Sequence, residues 1–161
     1  MAMSNSYIRK AKSNKYKYYY LLKHEMELIN DKFDFIQCTL GKTNNFWRLT
    51  CHGTFSQLDT IYEYRITYDG KNAPKVKILS PELIEKPPHV YEGNYLCLYY
   101  PKEQPWNSKE MSLYSTIVPW THEWIVFYEL YLIIGKWIHP EIKHRSSISK
   151  NMEIEKKIHK K

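Results

Sequence analysis

An α+β domain is predicted by three features of the sequence. Apolar residues near the N-terminus recur at helical spacing, the middle alternates apolar and polar residues between short polar turns, and a stretch near the C-terminus repeats aromatic residues every three or four positions. At 161 residues the chain is long enough to bury one continuous core without disulfide staples.

The elements follow in order. From Lys15 to Asp31, the spacing of Leu21, Leu22, Met26, Leu28 and Ile29 predicts an N-terminal helix. Phe33 to Leu40 is extended in pattern, and GKTNN turns into a β-rich run of Phe46, Trp47, Arg48, Leu49, Thr50 and Cys51. After the polar turn SQLDT, residues Tyr62, Tyr64, Ile66 and Tyr68 alternate with Glu63, Arg65 and Thr67 up to an Asp69-Gly70 turn, which is period-two strand chemistry. KVKIL adds a short strand with Val76 and Ile78 on one face; Pro81, Pro87 and Pro88 then exclude regular structure. The expectation is an antiparallel meander of three or four strands. Further on, Asn107 or Ser108 is placed to cap a short helix over Leu113 to Ile117. Pro119 fits the first turn of a longer helix, on which Trp120, Trp124, Phe127, Tyr128, Tyr131 and Leu132 make an aromatic stripe that closes near Gly135.

The formal net charge of +7 sits at the ends. Residues 1–23 contribute +6 and residues 143–161 contribute +5, which leaves −4 for the body between them. Basic ends on a mildly acidic body argue against a nucleic-acid groove built into the fold. The expected organisation is a basic N-terminal segment at 1–14, a folded domain at 15–142 and a basic tail at 143–161. No apolar run approaches a membrane span, because Glu129 and Lys136 break the longest one, and the N-terminus lacks the apolar run of a secretory leader. With three cysteines and no paired spacing, the chain is expected in a reducing cytoplasm. Cys38 and Cys51 lie among apolar strand residues and are expected as buried fillers. Cys51-His52 fits no zinc-finger spacing, so no metal is expected; His139 and His144 are read as part of a surface turn, and His122 as a solvent or edge residue.

Cys97 is different. It lies in HVYEGNYLCLYYP, after a Gly93-Asn94 turn, beyond the prolines and between strand-like flanks, a context that favours presentation at the sheet's edge over burial. The order helix, meander, proline stretch, then His89, Tyr91, Gly93 or Asn94, Leu96, Cys97 and Leu98 resembles the ubiquitin-conjugating fold. More specifically, the Pro-His-x-Tyr and Leu-Cys-Leu-Tyr segments resemble the short bacterial ubiquitin-conjugating-like proteins of cyclic-oligonucleotide-based anti-phage systems. So does Pro119-Trp120-x-x-Glu123-Trp124, with Tyr128-Glu129 and Gly135-Lys136-Trp137 after it. The resemblance spans roughly residues 30 to 140.

The resemblance implies acyl transfer through a thioester on Cys97, with no metal, nucleotide or organic cofactor in this subunit. It implies as partner a cGAS-like nucleotidyltransferase whose C-terminal tail is the acyl donor. The chain shows no Gly-rich nucleotide loop, so activation of the carboxyl is expected to come from elsewhere or to be bypassed. The sequence departs from the eukaryotic pattern in carrying Pro87, Pro88 and His89 where histidine, proline and asparagine are usual, so the oxyanion-steadying asparagine is missing. His89 is accordingly the second catalytic candidate, either donating to the oxyanion or locking the loop through the backbone. Tyr91, Asn94 and Trp106 are candidate substrate contacts. The alternative function is a non-catalytic adaptor of the same fold that binds a ubiquitin-like or nucleotidyltransferase tail.

Overall fold

The computed structural model of the protein describes residues 5–139, with side chains described from Tyr16 onward; the expected basic tail at 143–161 and His144 lie outside the described residues. Helix α1 (Asn5–Lys32) leads into a four-stranded antiparallel sheet in sequential order, β1 (Ile36–Thr43), β2 (Phe46–Gln57), β3 (Thr60–Tyr68) and β4 (Lys75–Ser80). A separate hairpin, β5 (Val90–Tyr91) and β6 (Tyr95–Leu96), precedes a π turn (Leu113–Ile117) that runs into helix α2 (Val118–Ile134). This is the predicted α+β order.

Local chemistry sets the joins. The predicted five-residue turn GKTNN shrinks to Asn44 and Asn45, both at positive φ, because β1 and β2 keep pairing through Thr43 and Phe46. Two central residues at positive φ match the right-handed twist of a hairpin, and asparagine tolerates that conformation. Helix α1 begins ten residues before the predicted start, since its first turns are polar and carry no apolar periodicity to detect. The π turn is capped by Ser112, whose hydroxyl accepts the Ser115 N–H, and not by Asn107 or Ser108 as predicted. Asn107 instead closes its own loop, accepting the Lys109 N–H on its side chain and the Met111 N–H on its carbonyl. Pro119 occupies the first turn of α2, where its missing N–H costs nothing, and Gly135 ends the helix in the left-handed conformation.

The core lies on the inner face of the sheet. Tyr62, Tyr64, Ile66 and Tyr68 of β3 are buried as the alternation requires, against Leu49, Cys51 and Val76 from the neighbouring strands. Leu22 and Ile29 of α1, and Leu113, Ile117, Trp124, Ile125 and Tyr128 from the C-terminal segment, complete it. The buried stripe of α2 departs from the predicted one: Ile125, Thr121 and Glu129 are buried, whereas Leu132 is exposed. Glu129 is tolerated there because the Tyr62 hydroxyl donates to its carboxylate. On α1, Glu25 is buried between Leu22 and Ile29; its carboxylate accepts the Leu113 N–H at 2.8 Å, tying α1 to the π turn. Burial pushes the Glu25 carboxyl up from its ordinary range, and the Leu113 N–H pulls the other way.

Cys38 and Cys51 are directly opposed across β1 and β2, with their sulfurs 3.0 Å apart. Cys51 is buried and Cys38 half-buried, so the expectation of fillers holds for the first and half for the second. The contact with Cys38 and burial push the Cys51 thiol well up.

His122 is the larger surprise. It is packed under the sheet, with its ring stacked on Phe55 at 4.1 Å and its Nε2 2.9 Å from the Tyr64 hydroxyl. Tyr64 reaches it because Gly53, its cross-strand partner, has no side chain: a Cβ there would collide with the Tyr64 ring. Burial holds the His122 imidazole down at about 4 from its ordinary 6.5. Between those values the unfolded chain binds a proton that the folded one excludes, so this group costs nothing above pH 6.5 and destabilises the fold increasingly as pH falls toward 4. Thermal unfolding followed from neutral pH down to that range should therefore lower Tm more in the native protein than in His122→Gln, which keeps a partner for Tyr64 and does not titrate.

Candidate active site

The Leu-Cys-Leu segment explains why Cys97 is available. Strand residues alternate faces, and Leu96 and Leu98 both pack on the core, so Cys97 between them points away from it. The hairpin that carries it is closed by a tight turn in which Gly93 and Asn94 hold φ of 80° and 61°, and the Asn94 N–H donates to the Tyr91 carbonyl at 3.1 Å. Val90 pairs with Leu96 and Tyr91 with Tyr95; one step further the Cys97 N–H donates to the His89 carbonyl at 2.8 Å. Cys97 and His89 therefore face each other across the open end of the hairpin.

The sulfur has two near partners. The Cys97 thiol lies 3.1 Å from the Tyr91 hydroxyl and 3.6 Å from the Tyr99 carbonyl, either of which can accept its proton in a hydrogen bond. Partial burial first, and the contact with Cys97 second, push the Tyr91 phenol up to about 12, so it remains a neutral hydroxyl at physiological pH. A neutral phenol can turn from accepting the thiol proton to donating toward a sulfur that has lost it.

His89 holds the loop in three ways. Its backbone is left-handed at φ 52°, a conformation that costs a non-glycine residue about 1–2 kcal/mol. Its carbonyl also accepts the indole N–H of Trp124 at 3.2 Å, so one oxygen joins the cysteine's backbone to α2. Its ring stacks on Trp137 at 4.9 Å between centroids. Trp106 packs at the C-terminal end of β3, with its indole N–H donating to the Tyr68 hydroxyl at 3.2 Å.

The structure thus brings Cys97, His89, Tyr91 and Asn94 into one hairpin and places Trp106 on Tyr68. Sequence reasoning did not single out Tyr99, whose carbonyl faces the sulfur, or the use of Trp124 and Trp137 as anchors for His89. For the tryptophans a signal was present in the Pro-Trp-x-x-Glu-Trp run that holds Trp124 and in the Gly135-Lys136-Trp137 segment after it, although an aromatic stripe by itself says only core. Among the described residues no three His, Cys, Asp or Glu side chains gather as a metal site requires. No helix among them is long and apolar enough to cross a membrane.

An N-terminal helix, a four-strand antiparallel meander, a cysteine-bearing hairpin beyond the last strand and a closing helix together make a ubiquitin-conjugating-like protein. The family model described as Type II CBASS E2 protein matches residues 25–145, from the last third of α1 to beyond α2. The chain belongs to that family, which places it in anti-phage defence. No curated protein matches it.

The double use of the His89 carbonyl gives a direct test. Trp124→Phe keeps the stack on Tyr128 but removes one donor, and should cost about 1 kcal/mol of stability in a denaturant titration. Hydrogen exchange should show the Cys97 amide speeding up more than the amides of β2 and β3.

Proposed function

We propose that the protein is a transferase that forms a thioester between Cys97 and the C-terminal carboxyl of a partner protein and passes that acyl group to an amine. The observation that carries this reading is the presentation of Cys97: it is half-exposed, outward between two core leucines, and has a neutral phenol 3.1 Å from its sulfur. Membership of a ubiquitin-conjugating-like family supports it.

In loading, Cys97 gives up its thiol proton to solvent, and the sulfur attacks the carbonyl carbon of an already activated carboxyl. The C–S bond forms and the activating group leaves with its bonding electron pair. In transfer, a neutral amine attacks the thioester carbonyl, the C–N bond forms, sulfur departs as thiolate and the surplus ammonium proton passes to solvent. Each step traverses a tetrahedral oxyanion. Tyr91 is assigned to hydrogen bonding the sulfur, and Asn94 to shaping the rim that an extended tail crosses. We assign His89 to positioning: its carbonyl fixes the Cys97 backbone and its ring rests on Trp137. The donor is assigned as the C-terminal tail of a cGAS-like nucleotidyltransferase.

Incubation with that partner, or with a synthetic thioester of its C-terminal residues, should yield a thiol-sensitive adduct on Cys97, seen on a non-reducing gel and by intact mass spectrometry. Cys97→Ser should convert it to a stable ester or abolish it. An adduct absent under all conditions leaves the adaptor function in place of the enzyme. For His89, glycine keeps the carbonyl and accepts the left-handed backbone while removing the ring. Because glycine relieves the left-handed strain as it loses the ring stack, His89→Gly should change Tm little and slow loading by less than about tenfold, below the ~10²–10³ that loss of an oxyanion donor costs. A larger loss at unchanged Tm would assign the ring to the oxyanion.

A further inference from the structure

The outer face of the sheet carries a groove whose basic residues the loading chemistry does not use. It encloses about 1020 Å³ between the outward residues of β2, β3 and β4 and the cysteine hairpin, with Arg48, Arg65, Lys75 and Lys77 on its strands and Tyr91 and Tyr95 on its hairpin side. Two observations show that its charge is arranged for something outside the fold. Arg65 and Lys77 are direct cross-strand partners in the β3–β4 register, and like charges placed opposite one another destabilise a sheet. Moreover, none of the four cations forms an ion pair with a described residue. Lys75 and Lys77 are instead held over the Tyr95 ring, at 5.0 and 4.4 Å from its centroid. Of the acids at the groove, Asp69 is occupied by the Lys71 and Asn72 N–H groups and the Asn72 side chain.

One wall of the groove is Tyr91, the residue whose hydroxyl lies 3.1 Å from the Cys97 sulfur. A chain lying in the groove therefore meets the residue that contacts the thiol, while Cys97 itself lies outside the groove's lining. We propose that the groove binds an acidic, extended segment of the acyl-donor protein just upstream of the carboxyl that loads Cys97, with its carboxylates on Arg48, Arg65 and the two lysines. This rests on the acyl-transfer reading. An isolated carboxylate suits the site better than a phosphate backbone, because Asp69 and Glu92 interrupt the basic wall.

The test measures binding apart from chemistry, on full-length Cys97→Ala protein. A fluorescein-labelled short peptide rich in glutamate should bind by fluorescence polarisation, weaken as salt is raised, and lose about tenfold in affinity in Arg65→Gln/Lys77→Gln. Removing a like-charge pair should leave the Tm of that double variant undiminished, which excludes misfolding as the cause. Equal binding of the glutamate peptide and its glutamine counterpart overturns the proposal, as does a single-stranded oligonucleotide that binds more tightly and displaces the peptide. Failure of Cys97 to load is read separately in the thioester assay and leaves this measurement intact.

Discussion

The carbonyl oxygen of His89 is the point on which the site's geometry rests. It accepts from the Cys97 backbone and from the Trp124 indole, and so fixes the cysteine relative to α2 through two hydrogen bonds to one atom. The left-handed backbone at His89 puts that oxygen where both donors reach it. A hairpin with two-residue strands is too short to hold itself in water. It is held here by its leucines on the core, by that shared acceptor, and by the ring stack on Trp137.

The placement of α2 in turn depends on polar groups buried within the core. Tyr62 donates to Glu129, Tyr64 meets His122, and the Tyr128 hydroxyl accepts the Ile84 N–H of the proline segment. Apolar contact alone would let a helix this aromatic slide or rotate on the sheet, since hydrophobic burial is non-directional. Hydrogen bonds from the tyrosines of β3 at two places along α2 remove that freedom, and Glu25 does the same for the π turn from the side of α1. Rigidity built for packing reasons thereby reaches the cysteine through Trp124.

Much of this was legible in the sequence, for reasons that differ by element. The alternation of β3 and the spacing of α1 are local, and each strand or helix announces its own period. Cys97 was legible because glycine, asparagine and the alternating leucines around it are also local signals. The buried acids were not. Glu25 and Glu129 look like the solvent side of a helix until their partners, 88 and 67 residues away, are in place. His122 was misjudged for the same reason, since both Gly53 and Tyr64 are needed to make room for it. The basic groove is invisible to a charge count that finds an acidic body, because only the register of β3 on β4 sets Arg65 against Lys77.

Gly53, Tyr64 and His122 also form one heritable unit. A side chain gained at position 53 evicts the tyrosine ring, and a smaller residue at position 64 strands the imidazole beneath the sheet. Loss of the imidazole leaves a buried phenol without its partner. A replacement at any of the three is therefore tolerated only where it keeps the space at position 53 and a hydrogen-bonding partner for the phenol, as glutamine at position 122 does. Phe55, which only lends a face to the imidazole, is free to drift among flat aromatic residues.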